Sequence, residues 1–171
     1  MIIWSFVSLM LACCKLPKAM CLQVCRTDLS STFFLIAEYT MELDITPAER
    51  LSLKPLQDLS GLCQGLCNDY WSWPKERDAH VSGKSRLMNA VLIVMKQHKL
   101  PAHKALAFVR KLTLEKEQEL IDMRNELLAA GNVSKDMRMY IDAHLWMVGG
   151  NDLWEATCRR YNKHLYFDLD N

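Results

Sequence analysis

The sequence predicts an all-α protein, and three observations lead to that expectation. Apolar residues recur at helical spacing along most of the chain, and proline and cap residues mark the points where helices begin. No stretch shows the strict alternation of apolar and polar residues that half-buried strands require. With 171 residues, the chain can bury one hydrophobic core and is one domain by length.

The composition excludes two broad classes of protein. Half of the residues are hydrophobic, 24% are charged and the formal net charge is +1. This balance is not that of a disordered chain, and it gives no support to nucleic-acid binding. The seven cysteines include two pairs at i, i+4 spacing, Cys21 with Cys25 and Cys63 with Cys67. We interpret them as buried thiols of a reducing, cytoplasmic compartment rather than as zinc ligands or disulfides.

Residues 1–14 are strongly apolar and carry no charge, so a membrane or secretory segment has to be considered. The stretch is shorter than the roughly 18 to 20 residues that span a bilayer. It also lacks the positive beginning of a signal peptide, because its first cation, Lys15, follows it. We favour a buried helix over a targeting segment and expect no membrane span. Residues 1–14 and about 18–43 are predicted to be helical, with a break near Pro17.

The beginning of the next helix has a clear signature. Thr46 is expected to be the N-cap, Pro47 the first helical residue and Glu49 the closing residue of a capping box. Pro55 is expected to restart the helix after a short turn. A row of apolar residues then forms one face that continues toward residue 68: Leu56, Leu59, Leu62, Cys63 and Leu66.

The second half of the chain is predicted to hold three more helices. Residues 77–84 are polar and are expected to form a loop, followed by a helix at about 86–99. Residues 101–130 have the pattern of a long amphipathic helix, which Gly131 and Asn132 should end. Ser134 is expected to cap the final helix.

Three oxygen-bearing side chains stand four residues apart where the apolar row ends, at Asn68, Ser72 and Glu76. Four residues of helix advance a side chain by about 400°, so the three lie along one slowly drifting stripe. An amide oxygen, a hydroxyl and a carboxylate form a hard ligand set, which suits a Mg²⁺ that shares its coordination with a phosphate. Lys75 supplies a cation where such a phosphate would lie.

The alternative is that the stripe is merely a solvated helix face. Trp71, Trp73 and the leucine-rich approach favour burial instead, and a buried carboxylate needs a partner. Pro74 lies inside the motif and is expected to kink or loosen the last turn.

The run Asn68-Asp69-x-x-Ser72-x-x-Lys75-Glu76 resembles the second metal-binding motif of class I terpene cyclases, in the form that fungal enzymes use. The sequence of this run is most similar to that in the cyclase domains of fungal di- and sesterterpene synthases. The resemblance implies that Asn68, Ser72 and Glu76 are metal ligands and that Lys75 contacts the diphosphate.

A second run, Trp146-x-x-x-Gly150-Asn151-x-x-Trp154 followed by Arg160-Tyr161, resembles the C-terminal helix of the same enzymes. The resemblance implies that Arg160 and Tyr161 donate hydrogen bonds to the diphosphate. It also implies that Trp146 and Trp154 line the cavity, where aromatic faces stabilise a carbocation. Taken singly, each tryptophan is more often a core residue, but their order and spacing relative to Arg160 and Tyr161 favour the functional interpretation.

Arg26 resembles the diphosphate-sensing arginine of the family, which precedes the metal asparagine by about this distance. It lies 42 residues before Asn68. The family often has an aspartate three residues after this arginine, whereas here Asp28 comes two residues after Arg26. A plain surface pair between Arg26 and Asp28 is the alternative.

The resemblance implies the C-terminal portion of the class I terpenoid synthase helical bundle, with residues 1–171 forming a partial domain. The family ordinarily carries an Asp-rich motif on an earlier helix, whereas this sequence has no two adjacent aspartates. We therefore expect a fragment that carries one metal motif of the two and is inactive alone.

The function that the resemblance implies is a lyase of fungal secondary metabolism. Such a domain uses Mg²⁺ to ionise and cyclise a linear polyprenyl diphosphate of C15 to C25, and some relatives also carry a prenyltransferase domain. The alternative is a catalytically silent all-α remnant that acts as an interaction module.

Overall fold

The computed structural model describes residues 29–131 and 133–163, and six α-helices form the regular structure of that part. The described part is thus all-α, as predicted. In chain order the helices are α1 Leu29–Thr40, α2 Pro47–Ser52, α3 Lys54–Val81, α4 Ala90–His98, α5 Ala102–Ala129 and α6 Lys135–Thr157. The predicted helix at residues 1–14 and the break near Pro17 lie outside the described residues.

Two predicted helix starts are confirmed in atomic detail. At α2 the Thr46 hydroxyl accepts a hydrogen bond from the Glu49 backbone N–H at 3.2 Å, and the Glu49 carboxylate accepts one from the Thr46 N–H at 2.9 Å. At α6 the Ser134 hydroxyl accepts from the Met137 N–H at 3.0 Å. Pro55 lies in the first turn of α3, where its missing N–H leaves no helical bond unmade.

Two predicted boundaries are wrong. The loop expected from residue 77 begins only after Val81, because α3 continues through Pro74. Burial of Trp73, which is 3% exposed, holds the helix together across the proline. The helix expected from residue 86 begins instead at Ala90, because the Asn89 side chain accepts from the Val91 N–H at 2.9 Å and caps it there.

Helix α3 is the centre of the bundle and packs against both α5 and α6. Gln57 pairs with Tyr140 near one end of α3, and Asn68 pairs with Glu155 further along, so α3 and α6 run parallel. Helix α5 runs antiparallel to α6, and α4 packs on α5 beside the end of α3. The shared core is formed by buried side chains that include Leu56, Leu62, Leu66, Val94, Val109, Leu120 and Ile141.

Asp152 on α6 joins the three long helices. Its carboxylate accepts hydrogen bonds from Trp71 Nε1 at 2.8 Å and from Cys67 Sγ at 3.1 Å, both on α3. Arg110 on α5 binds it with two nitrogens, at 3.0 and 3.3 Å. Burial alone would raise the pKa of Asp152, but these donors outweigh it and the pKa lies below its usual value. Asp152 therefore fixes how far along α3 the side chains of α6 lie.

The described cysteines are free thiols: Cys63 and Cys67 are buried, and Cys158 is half-buried. The pair Cys21 and Cys25 lies outside the described residues. Among the described helices, none has the length and the apolar character needed to cross a bilayer.

Replacing Asp152 with Asn should lower the free energy of unfolding by about 3 kcal/mol, because Arg110 would keep its charge in a half-buried place without a partner. Urea unfolding measures this change. The matched control is Asp78→Asn, which removes an equivalent arginine pair that is exposed, and it should leave the unfolding midpoint where it was. Equal effects of the two changes would contradict the anchoring role of Asp152.

His144 should make the fold sensitive to acid. It is fully buried between Phe34 and Tyr140, neither ring nitrogen has a hydrogen-bond partner among the described residues, and burial lowers its pKa to about 3. Between pH 6.5 and about pH 3 the imidazole of His144 binds a proton in the unfolded chain but not in the folded one. The free energy of unfolding therefore decreases as the pH falls through this range.

Urea unfolding of the parent and of His144→Phe at pH 7.5 and pH 5.0 tests this expectation. The parent should lose about 2 kcal/mol more than the variant over this interval. Asp69, whose pKa burial raises to about 7, acts in the opposite direction, but its effect is common to both proteins. The same pH dependence in parent and variant would show that His144 is not the group responsible.

Candidate metal and diphosphate site

The predicted stripe lies on α3 and turns from one neighbouring helix toward another. Asn68 faces α6, Ser72 is 1% exposed, and Glu76 faces the residue that caps α4. Each step of four residues rotates the side chain by about 40°, which accounts for the change of neighbour. The Ser72 hydroxyl is buried without a hydrogen-bond partner among the described residues.

The amide of Asn68 is held in one orientation. Its Nδ2 donates to Glu155 Oε1 at 2.7 Å and to the Tyr161 hydroxyl oxygen at 3.0 Å. An amide nitrogen has two hydrogens, so both are used in these contacts. The amide oxygen, which is the atom that binds a metal ion, consequently points away from Glu155 and Tyr161.

The carboxylate of Glu76 is also held, but by the residue that caps α4 rather than by α6. Asn89 Nδ2 donates to Glu76 Oε2 at 3.2 Å and to the Asp69 carbonyl oxygen at 2.8 Å. The Asp69 carboxylate in turn accepts from the Ala90 N–H at 2.7 Å. The beginning of α4 is therefore bound to the same two turns of α3 that carry the stripe.

Two cations lie close to the ring of Tyr161. Lys75 Nζ lies 5.7 Å from the ring centroid and the Arg160 guanidinium carbon lies 5.6 Å from it. The Trp154 ring meets Tyr161 edge to face at 6.1 Å. Because the Tyr161 oxygen accepts from Asn68, its own hydrogen remains available to donate. Lys75, Arg160 and Tyr161, which the sequence assigned to diphosphate binding, thus lie together beside Asn68.

The two predicted cavity tryptophans differ in their positions. Trp154 is 52% exposed and lines a cleft of about 440 Å³ together with Phe33, Gln64, Met147, Gly150 and Asn151. Trp146 is 57% exposed and does not line that cleft. Arg26, the proposed diphosphate sensor, lies outside the described residues.

Sequence reasoning missed Glu155, which is 1% exposed and contacts Asn68. Burial raises the pKa of Glu155, and the Asn68 amide opposes that rise. Asn151 lies one turn before it, but no hydrogen bond of good geometry joins the two, and Glu155 Oε2 and Asn151 Nδ2 both stay unsatisfied among the described residues. The i, i+4 spacing of this polar pair on the last helix was the available signal.

The described residues contain no group of three or more His, Cys, Asp or Glu side chains placed to hold a metal ion. A cation at the stripe would therefore depend on the neutral oxygens of Asn68 and Ser72 together with Glu76. The buried, unsatisfied hydroxyl of Ser72 fits such a cation, because coordination would satisfy it.

Comparison with known proteins places these features in a family. A family model described as terpene synthase family 2, C-terminal metal binding, matches residues 22–119, which include the whole stripe. The chain is 32% identical over 137 residues to fusicoccadiene synthase of Phomopsis amygdali, a match that covers 80% of this chain and 19% of the relative.

Two further relatives give similar values. Sesterterpene synthase btcA of Colletotrichum orbiculare is 30% identical over 132 residues, covering 76% of this chain and 18% of the relative. Bifunctional terpene synthase FUP1 of Fusarium proliferatum is 28% identical over 132 residues, with the same two coverages. The chain spans about a fifth of the length of these curated relatives. The family model matches more than half of the chain, and the chain belongs to terpene synthase family 2, whose C-terminal metal-binding region it carries.

Proposed function

We propose that this chain supplies the Mg²⁺- and diphosphate-binding side of a class I terpene cyclase site. The reaction would ionise and cyclise a linear polyprenyl diphosphate of C15 to C25. The observation that carries the proposal is the contact between Asn68 and Tyr161, with Lys75 and Arg160 both close to the tyrosine ring. A proposed metal ligand and three proposed diphosphate ligands therefore meet at one place, although α3 and the segment after α6 are far apart in sequence.

The ligand oxygens of the proposed metal site belong to Asn68, Ser72 and Glu76. Asn68 donates hydrogen bonds to Glu155 and Tyr161, Glu76 accepts one from Asn89, and the buried Ser72 hydroxyl has no partner among the described residues. Oxygen ligands of this kind are those that Mg²⁺ prefers. When bound, Mg²⁺ supplies Lewis-acid stabilisation of negative charge on the diphosphate oxygens.

The protein's own groups would hold the diphosphate and the hydrocarbon. Lys75 and Arg160 bring two positive charges to the diphosphate, and the Tyr161 hydroxyl donates a hydrogen bond to it. Positive charges and a hydrogen-bond donor held at one place would stabilise the charge that develops on a leaving group. The aromatic face of Trp154 offers a surface beside the cleft that stabilises a carbocation without a nucleophilic lone pair.

The wider setting is also part of the proposal. One relative is named as a bifunctional terpene synthase, which supports a prenyltransferase domain in the complete protein. The free thiols of Cys63, Cys67 and Cys158 support a reducing compartment, the cytoplasm.

The second candidate function is an interaction module without catalysis. Its support is that no two adjacent aspartates occur in the 171 residues, so a second metal motif of the usual form is missing. The two candidates differ in whether the chain binds diphosphate with a metal ion.

We expect Glu76→Gln to weaken Mg²⁺-dependent binding of inorganic pyrophosphate by about tenfold or more, because it removes the charged metal ligand. Isothermal titration calorimetry of the purified chain with pyrophosphate, with and without Mg²⁺, measures this loss.

The matched control is Glu49→Gln, a change of the same chemistry at the capping box of α2. It should loosen the start of that short helix and leave pyrophosphate affinity unchanged. If the parent binds no pyrophosphate with Mg²⁺, or if both variants bind it equally well, the metal assignment fails and the interaction module is favoured.

We also expect that the chain alone does not cyclise polyprenyl diphosphates. Lys75 and Arg160 are exposed and Trp154 is half exposed, so water reaches the cations and the cleft in the described part of the chain. Charge on the leaving diphosphate would be met from one side, and water would capture any carbocation.

Incubation of purified chain with farnesyl, geranylgeranyl and geranylfarnesyl diphosphates and Mg²⁺, followed by gas chromatography with mass spectrometry, tests this expectation. The expected result is no cyclic hydrocarbon. Cyclic product formed at an ordinary enzymatic rate, about 1 s⁻¹ or faster, would contradict it.

A further inference from the structure

We propose that Glu155 is a positioning residue of the metal site, which turns the Asn68 oxygen toward the metal ion and adds a buried negative charge beside it. This inference rests on the proposed function, since it concerns the same cation. It adds a fourth side chain, from α6, to a motif that otherwise lies entirely on α3.

Two hydrogen bonds of the Asn68 amide nitrogen determine which way the amide oxygen points. Glu155 Oε1 accepts one of its two amide hydrogens at 2.7 Å, and the Tyr161 hydroxyl accepts the other at 3.0 Å. A free asparagine amide can rotate by half a turn and exchange its oxygen with its nitrogen. A carboxylate accepts hydrogen bonds only, so an exchange would place the amide oxygen against the Glu155 oxygen, with repulsion in place of a bond. Glu155 thereby selects the orientation that leaves the oxygen for the metal.

The buried charge of Glu155 is a second feature that favours a cation beside Asn68. Glu155 is 1% exposed, and it forms no ion pair with any cation of the described residues. Its second oxygen has no hydrogen-bond partner there either. A buried carboxylate in this condition destabilises a fold unless a cation compensates it. A divalent cation at the neighbouring stripe would be attracted by this charge.

Of the four side chains with a buried polar atom that lacks a partner among the described residues, three stand within one turn of Asn68 or Glu155; the fourth, His144, lies about three turns before Glu155 on α6. Ser72 stands one turn along α3 from Asn68, and Asn151 stands one turn before Glu155 on α6. Each has a buried polar atom without a partner among the described residues, as does Glu155 itself. Proteins rarely leave such atoms unsatisfied. The oxygens of Ser72 and Glu155 can each be compensated by a nearby cation, whereas Asn151 Nδ2 is a donor that acts on the Glu155 carboxylate.

The anchor at Asp152 explains why Glu155 can act in this way. Asp152 lies three residues earlier on α6 and is bound by Cys67, Trp71 and Arg110. Cys67 is the residue directly before Asn68, so the anchor holds α6 at the level of the metal motif. Glu155, on the next turn, is thereby held against Asn68 without freedom to slide.

The test uses Mn²⁺ as the probe, because it takes the same oxygen ligands as Mg²⁺ and can be counted by electron paramagnetic resonance. In the purified chain, Glu155→Gln should weaken Mn²⁺ binding by about tenfold. Without metal the variant should unfold at the same or a higher urea concentration than the parent, since an uncompensated buried charge has been removed. A residue with a merely structural role would give the reverse pattern of lower stability and unchanged affinity.

The matched control is Asp142→Asn on the same helix, where the carboxylate pairs with Arg124 at 2.8 Å. It also removes one negative charge from α6, but it lies in the half of the helix remote from Asn68, and it should leave Mn²⁺ affinity unchanged. If Glu155→Gln does not fold, Glu155→Asp serves instead. Its side chain is one methylene shorter and cannot keep the contact with Asn68, so affinity should fall here as well.

Asn68→Ala and Glu76→Gln separate failure of this inference from failure of the proposed function. If these two variants lose Mn²⁺ binding while the Glu155 variant binds like the parent, the positioning role is wrong and the metal site stands. If the Asn68 and Glu76 variants also bind like the parent, or if the parent binds no Mn²⁺, the proposed metal site itself is wrong, and the role of Glu155 falls with it.

Discussion

The structure depends most on the carboxylate of Asp152, because that group sets the level at which α6 lies against α3. Hydrophobic packing between two parallel helices holds them together but allows one to slide past the other by a turn at modest cost. Directional bonds from Trp71, Cys67 and Arg110 to one carboxylate remove that freedom. The contacts of Asn68 with α6 and with the segment after it exist only at this level. A slide of one turn would separate Asn68 from Glu155 and Tyr161.

The proposed metal motif is therefore held by side chains of two neighbouring helices. Glu155 and Tyr161 fix Asn68 from the side of α6, and Asn89 fixes Glu76 from the side of α4. Between them, Ser72 is buried with an unsatisfied hydroxyl, although serine in a helix can usually bond to the preceding turn. A buried polar group without a partner among the described residues is expected where function rather than stability has selected the residue.

Much of the site was predictable from the sequence because its signals are local. The spacing of Asn68, Ser72 and Glu76 follows from helical geometry, and the capping box at Thr46 follows from the four residues that form it. Glu155 and Asp152 were missed because their partners on α3 lie 81 to 87 residues away and Arg110 on α5 lies 42 residues away, and periodicity carries no information about such pairs. The wrong loop at residues 77–81 has a related cause. The pattern there is polar, but burial of Trp73 one turn earlier decides that the helix continues.

The electrostatic strength of the site depends on what covers it. Two unit charges 4 Å apart interact by about 1 kcal/mol in water and about 4 kcal/mol at the effective dielectric constant of a partly buried site. Lys75 and Arg160 are exposed in the described part of the chain, so their attraction for a diphosphate is close to the weaker limit. Glu155 is buried, so its attraction for a cation would be close to the stronger limit. The proposed metal ligands are thus positioned by the helices described here, whereas the cations proposed to bind diphosphate would gain their full effect only when substrate or further protein excludes water from the cleft beside Trp154.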